Sequence, residues 1–315
     1  MGGILDQKIK GIVPVMLTPF DDNGAIDWDG LEGLIHWYLD HGAHALFAVC
    51  QSSEMQHLSL SERRDLGRFT IKTVAGKVPV LVSGHIADTI DEQIAELNTM
   101  ASTEPDCLVL VSNRLDGKTH EPMQFGQMLT AVTKSLPKGL SLGMYECPVP
   151  NRRLLTDEDI KGLADDPRFV FLKDVSCDLM TIKRRMVLSK GSSLAINNAN
   201  AVIAYDALQA GAHGFCGVFT NFHPDLYRWL YDHGSSYPQL AQEISIFLAL
   251  AANAEPMGYP KLAKFYHQKM GTFKSIYCRA VSDDIQTKYW ALEEILDKIT
   301  QGTAYYRAKI AGLDN

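Results

Sequence analysis

Eight short apolar, largely β-branched runs recur about every thirty residues, and this spacing constrains the fold more than any other feature of the chain. They are GIVPVML (11–17), ALFAV (45–49), VPVLVSG (78–84), CLVLV (107–111), LSLGMY (140–145), FVFLK (169–173), SLAI (193–196) and GFCGVF (214–219). Runs so continuously apolar suit parallel strands covered on both faces, whereas half-exposed antiparallel strands alternate apolar with polar residues. Between the runs lie segments of helical period. Ser59-Leu60-Ser61-Glu62 and Thr89-Ile90-Asp91-Glu92 fit capping boxes, in which a hydroxyl and a carboxylate satisfy free backbone N–H groups reciprocally. Residues 29–42 carry Leu31, Leu34, Ile35 and Tyr38 on one helical face and end on Gly42, a C-cap signal.

Eight alternations of strand and helix predict an α/β fold of the closed (β/α)8 TIM-barrel type over residues 1–224. An open doubly wound sheet is disfavoured, because GAHGFCG (211–217) does not match the glycine-rich G-x-G-x-x-G turn. Residues 225–315 remain helical in period and read as the last barrel helix plus a C-terminal helical extension.

The net charge of −7, with no clustered basic surface, argues against a nucleic-acid partner. No stretch approaches the roughly 18 uninterrupted apolar residues of a membrane span, and the N-terminal segment lacks the pattern of a targeting peptide. The six cysteines are scattered without a C-x-x-C pair, so they read as small hydrophobes in a reducing cytoplasm.

Active sites of such barrels form where the strands end. In RFVFLKDVS (168–176) a buried strand ends on Lys173. The bland alternative is a lysine whose stem packs in the barrel while its ammonium pairs with a carboxylate. Its neighbour Asp174 points to the opposite face of the strand. The fifth run ends on Tyr145, one strand away, and a phenol beside an amine sets an acid/base group next to a nucleophile. Burial disfavours a charged amine, and a neutral amine attacks carbonyls. After the second run, Ser52 and Ser53 offer hydroxyls and backbone N–H groups to an anion. Glu54 reads as a general base or, preferably, as a carboxylate that fixes this loop.

With these places in view, the chain resembles the dihydrodipicolinate synthase and N-acetylneuraminate lyase family of Schiff-base-forming class I aldolases, over roughly residues 8–225. TPFDDNGAIDWDGL is similar to the family's opening segment and GAHGFCGVFTN to its eighth strand. YECP stands where the family has its tyrosine, and FLKD where it has its imine-forming lysine. The resemblance implies that Lys173 condenses with the keto group of pyruvate or a related 2-oxo acid, that Tyr145 shuttles protons, and that Ser52 helps hold the carboxylate. It implies no cofactor and no metal, because the protonated imine is itself the electron sink. It also implies a homotetramer built as a dimer of dimers.

Three departures from the family pattern bear on the reaction. The family's Gly-Thr-Thr-Gly-Glu loop is Cys50-Gln51-Ser52-Ser53-Glu54 here, and the Gln51 amide cannot relay a proton as a hydroxyl does. LVSNRLDG has no tyrosine where the synthase subgroup has one after the fourth strand, and the synthase arginine that clamps the second substrate's carboxylate falls at Pro150, with Arg152 and Arg153 just beyond. The expected activity is therefore a lyase or aldolase acting on a 2-oxo acid. Dihydrodipicolinate synthase proper, which condenses pyruvate with aspartate semialdehyde, and a non-catalytic 2-oxo acid binder remain open. A metal-dependent barrel enzyme is the other class: His41, His44, His57 and His85 lie near predicted element ends, but no H-x-H or H-E-x-x-H pattern occurs. The second substrate would be read by loops 111–122, 147–155 and 197–202, where Arg114, Arg152, Asn198 and Asn200 are candidates. Gln51, Ser53 and Cys216 complete the candidate binding set.

Overall fold

The computed structural model describes residues 8–116 and 122–314. Each apolar run overlaps a strand: β1 (Gly11–Ile12), β2 (Leu46–Val49), β3 (Val80–Val82), β4 (Cys107–Val111), β5 (Leu142–Tyr145), β6 (Phe169–Asp174), β7 (Ile196–Asn198), which begins only at the last residue of its run, and β8 (Gly214–Phe215). The sheet runs β1-β8-β7-β6-β5-β4-β3-β2, and every pairing along it is parallel. Closure falls between β1 and β2, where Val15 bridges Phe47. There the His44 N–H donates to Ile12 O (2.8 Å) and the Phe47 N–H to Pro14 O (2.9 Å). Pro14 has no N–H to give, which cuts β1 short of its apolar run. All residues of all eight strands are buried, as parallel strands sheathed by helices must be.

The sheath is α1 (Trp28–Asp40), α2 (Leu60–Val74), α3 (Ile90–Ala101), α4 (Pro122–Ser135), α5 (Asp157–Asp165), α6 (Leu179–Leu188), α7 (Ala204–Gln209) and α8 (Pro224–His233). α1 buries Leu31, Leu34, Ile35 and Tyr38, and the chain leaves it through Gly42 at φ +76°, a left-handed turn that favours glycine. Ser59 and Glu62 form the full capping box at α2. At α3 only half a box forms: the Glu92 N–H donates to the Thr89 hydroxyl, but the Glu92 carboxylate accepts from that same hydroxyl (2.6 Å) instead of from backbone.

Beyond the barrel follow α9 (Pro238–Ala251), α10 (Lys261–Lys269), α11 (Ile285–Lys288) and α12 (Leu292–Ala311). Leu262, Phe265, Ile285 and Leu296 share one continuous core with the barrel, so these helices are packed onto it and not tethered beside it. Inside the barrel, the ring of Phe47 meets Tyr145 and Phe171 edge-on, with centroids 5.9 and 6.2 Å away. These rings floor the mouth where β5 and β6 end.

Candidate active site

The parallel register of β5 and β6 sets Tyr145 beside Lys173. Both side chains reach a cavity of about 250 Å³ at the C-terminal mouth of the barrel. The Lys173 Nζ lies 4.5 Å from the centroid of the Tyr145 ring. Lys173 is 5% exposed, and among the described residues no carboxylate lies within ion-pair distance of its amine. The adjacent Asp174 faces away, as strand alternation requires. Its carboxylate pairs with Arg185 of α6, whose guanidinium also holds Glu146 (2.6 and 3.0 Å). The carboxylates that flank the two site residues in sequence are thus both spent on one buried arginine outside the cavity.

Beyond β2 the chain tightens into two single turns of 3-10 helix, Gln51–Ser53 and Met55–His57, joined by Glu54 at φ +60°. Gln51 and Ser52 line the cavity. The Tyr145 hydroxyl (3.2 Å) and the Cys147 thiol (3.3 Å) both donate to Gln51 Oε1. Burial, reinforced by the Cys147 thiol nearby, pushes the Tyr145 phenol well above its ordinary range, so it is a proton donor at neutral pH. Ser53 instead turns into the core, its hydroxyl directed at Ala48 O (2.6 Å) and Met16 O (2.8 Å), and does not line the cavity. Glu54 is fully buried against Lys264 of α10. It also accepts from the Ala280 N–H (2.7 Å) and the Cys278 thiol (3.3 Å), so its place is that of an anchor between loop and C-terminal helices.

Part of the cavity wall comes from residues that the sequence reading left unassigned. Asn253, Glu255 and Tyr259, from the segment between α9 and α10, line the same cavity. The Tyr259 hydroxyl donates to Ser52 Oγ (2.7 Å). Burial raises the Tyr259 phenol well above its usual range and also raises the Glu255 carboxyl, against the pull of the Lys173 charge. The only local sign of this wall is the turn chemistry of Gly258-Tyr259-Pro260, which marks a break between helices without saying where the break docks. Gly217, after β8, completes the rim. A Cβ there would lie 2.3 Å from the Phe215 ring and 2.6 Å from Ala199 O, so the backbone itself forms the wall.

The remaining candidates sit elsewhere. Arg152 donates to the carbonyls of Val175 and Ser176. Arg153 is held between Asp116 and Asp159 with its guanidinium 3.9 Å over the Phe125 ring, and Arg114 pairs with Asp88. None of the three lines the cavity. Asn198 folds back on Asn200, donating to its carbonyl (2.8 Å) and accepting from its N–H (2.9 Å), and so positions Asn200, which does face the cavity. Cys216 is buried behind the lining, and burial pushes its thiol up to about 12. Residues 117–121 of the loop after β4 lie outside the described residues. His44 and His85 accept from the N–H groups of Ile12 and Val111, and His41 bonds Trp37 O. Among the described residues no three of His, Cys, Asp or Glu are grouped to hold a metal ion.

Comparison with known proteins places the chain in a family. The model of the dihydrodipicolinate synthetase family matches residues 8–296. A 4-hydroxy-tetrahydrodipicolinate synthase of Psychrobacter sp. (strain PRwf-1) is 26% identical over 219 residues, 69% of this chain and 70% of that protein. The enzyme of the same name from Marinobacter nauticus is 29% identical over 218 residues, 69% and 72% of the two chains. The barrel superposes on dihydrodipicolinate synthase from Acinetobacter baumannii, solved in complex with pyruvate, with a TM-score of 0.81 at 20% identity, covering 93% of this chain and 99% of that one. It superposes on the DapA-2 synthase of Bacillus anthracis with a TM-score of 0.82 at 20% identity, covering 92% and 98%. The chain belongs to the dihydrodipicolinate synthetase family and is an enzyme of its aldolase-type lyase class.

Proposed function

We propose that the protein makes or breaks a carbon–carbon or carbon–oxygen bond of a 2-oxo acid through an imine on Lys173. The observation that carries this reading is a lysine amine enclosed at the barrel mouth, free of any carboxylate partner among the described residues and stacked on a phenol. The neutral amine adds to the keto carbon to give a carbinolamine; its hydroxyl takes a proton and departs as water, and a protonated imine on Lys173 remains. Loss of a proton from the neighbouring carbon then yields an enamine, the nucleophile of the forward reaction and the product of the reverse one. Tyr145, kept protonated by burial, donates to the departing hydroxyl and recovers the proton afterwards. Because its hydroxyl is bonded to an amide oxygen, the proton comes back from substrate or water and not along a side-chain relay. Ser52 is placed to donate to the substrate carboxylate.

The names of the relatives suggest a second reading, the condensation of pyruvate with aspartate semialdehyde to 4-hydroxy-tetrahydrodipicolinate. We favour a second substrate or leaving group without a carboxylate. Among the described residues no arginine lines the cavity, Arg152 and Arg153 are committed elsewhere, and the lining offers Asn200, Asn253 and Glu255. Exchange of the methyl protons of pyruvate into D2O, followed by NMR, tests the enamine step without knowledge of the second substrate. Exchange that depends on the protein and is abolished by Lys173→Ala is expected; no exchange by the intact protein counts against the reading.

A further inference from the structure

Ser52 reaches its place in the cavity with a hydrogen-bond partner from outside the barrel strands, and the neighbours of that partner fix the direction of the bond. Asn221, just after β8, accepts from the Tyr38 hydroxyl of α1 through Oδ1. Its other amide atom faces Val15 O (2.9 Å), Val218 O (3.0 Å) and the Tyr259 hydroxyl (2.9 Å). Two of these partners are carbonyl oxygens, which only accept, so the atom facing them is the NH2 nitrogen. An amide nitrogen accepts nothing. The Tyr259 hydroxyl therefore cannot spend its hydrogen on Asn221, and Ser52 Oγ stands 2.7 Å away in the other direction. With its oxygen already receiving the Tyr259 hydrogen and no other hydrogen-bond partner among the described residues, the Ser52 hydroxyl turns its own hydrogen into the cavity that holds Lys173.

We propose that Tyr259, delivered by the C-terminal helical extension, is a positioning residue that makes Ser52 a fixed hydrogen-bond donor to the carboxylate of the 2-oxo acid. The chain Tyr38, Asn221, Tyr259, Ser52 draws on α1, the turn after β8, the segment between α9 and α10, and the loop after β2. Tyr38, Asn221 and Ser52 are buried and Tyr259 is half-buried, so the chain runs from the core to the cavity wall. The phenol accepts from the Asn221 NH2, so its own hydrogen is left to give, and Ser52 Oγ is the acceptor within reach. The extension then completes the carboxylate end of the site, while β5 and β6 supply the end where the keto group reacts.

This inference rests on the imine reading, and the test separates the two. The protein is titrated with pyruvate, the adduct on Lys173 is trapped with borohydride, and the half-saturating pyruvate concentration is read for the intact protein, Tyr259→Phe, Ser52→Ala and the double variant. A hydrogen bond to a charged group lost from binding is expected to raise half-saturation on the order of tenfold in each single variant. The double variant should do no worse than Ser52→Ala, with the maximal adduct unchanged. Wild-type half-saturation in Tyr259→Phe, or losses that multiply in the double variant, overturns the proposal while leaving the imine intact. Wild-type half-saturation in Ser52→Ala overturns it as well, whether or not the tyrosine variant folds. No adduct in the intact protein overturns both readings.

Discussion

Tyr145 and Lys173 are register partners on neighbouring parallel strands, and the amine of one lies 4.5 Å from the ring centroid of the other. The pairing is rigidly specified. A slip of one residue in either strand would turn that side chain to the helical sheath and bring a core residue to the mouth. Phe47 beneath the phenol fixes the ring from the barrel interior.

Tyr145→Phe separates the packing of that ring from its proton. The phenyl keeps its contact with Phe47, so the melting temperature should change little. The rate at which pyruvate becomes trappable on Lys173 should fall by about 10²- to 10⁴-fold, the usual worth of a positioned acid/base group. Stopped-flow or quench trapping measures it, and an unchanged rate would remove Tyr145 from the proton transfers.

The pair between Lys264 and Glu54 moors the C-terminal helices to the loop that carries Gln51 and Ser52. Burial pulls the Lys264 amine down, and the Glu54 charge is what opposes it. Lys264→Met leaves a carboxylate buried with only Ala280 N–H and the Cys278 thiol, and should cost about 3–5 kcal/mol in urea denaturation. Adding Glu54→Gln should recover a good part of the loss; a purely additive double variant would contradict the pairing.

Acid should weaken the fold well before the carboxylates titrate. The Val111 N–H donates to His85 Nε2 (2.6 Å), so the ring hydrogen sits on Nδ1, facing Gln93 Oε1 (3.2 Å). Burial lowers this imidazole to about 4, below the value near 6.5 of an unfolded histidine. The unfolded chain therefore binds the proton first: stability is intact above about pH 6.5 and falls as pH drops through about 4, by up to about 3 kcal/mol for this one ring. His213, His223 and His267 are shifted the same way, burial again being the main cause. Urea midpoints measured from pH 7 to 4 should decline, and His85→Gln should make the decline shallower.

The barrel could be read from the sequence because parallel strands covered on both faces must be apolar at every position, which leaves uninterrupted runs at a regular spacing. Lys173 and Tyr145 stood out for the same reason, as polar groups at the ends of such runs. Loop destinations carry no comparable signal. Arg152 has the charge of a substrate clamp, but two backbone carbonyls at Val175 and Ser176 take its guanidinium, and acceptors of that kind leave no mark in composition or period. Ser53 differs from Ser52 by one position in a tight turn, and that rotation alone sends one hydroxyl into the core and the other into the cavity. Tyr259 lies where the helical pattern merely breaks, and only the packing of α10 against the loop after β2 brings it to the site.

The most direct measurement is peptide mapping by mass spectrometry of the protein reduced with borohydride in the presence of pyruvate. A reduced pyruvyl adduct on the peptide containing Lys173, absent without pyruvate and absent in Lys173→Ala, is the predicted result. An unmodified Lys173 at saturating pyruvate, or an adduct on any other lysine, would contradict the account.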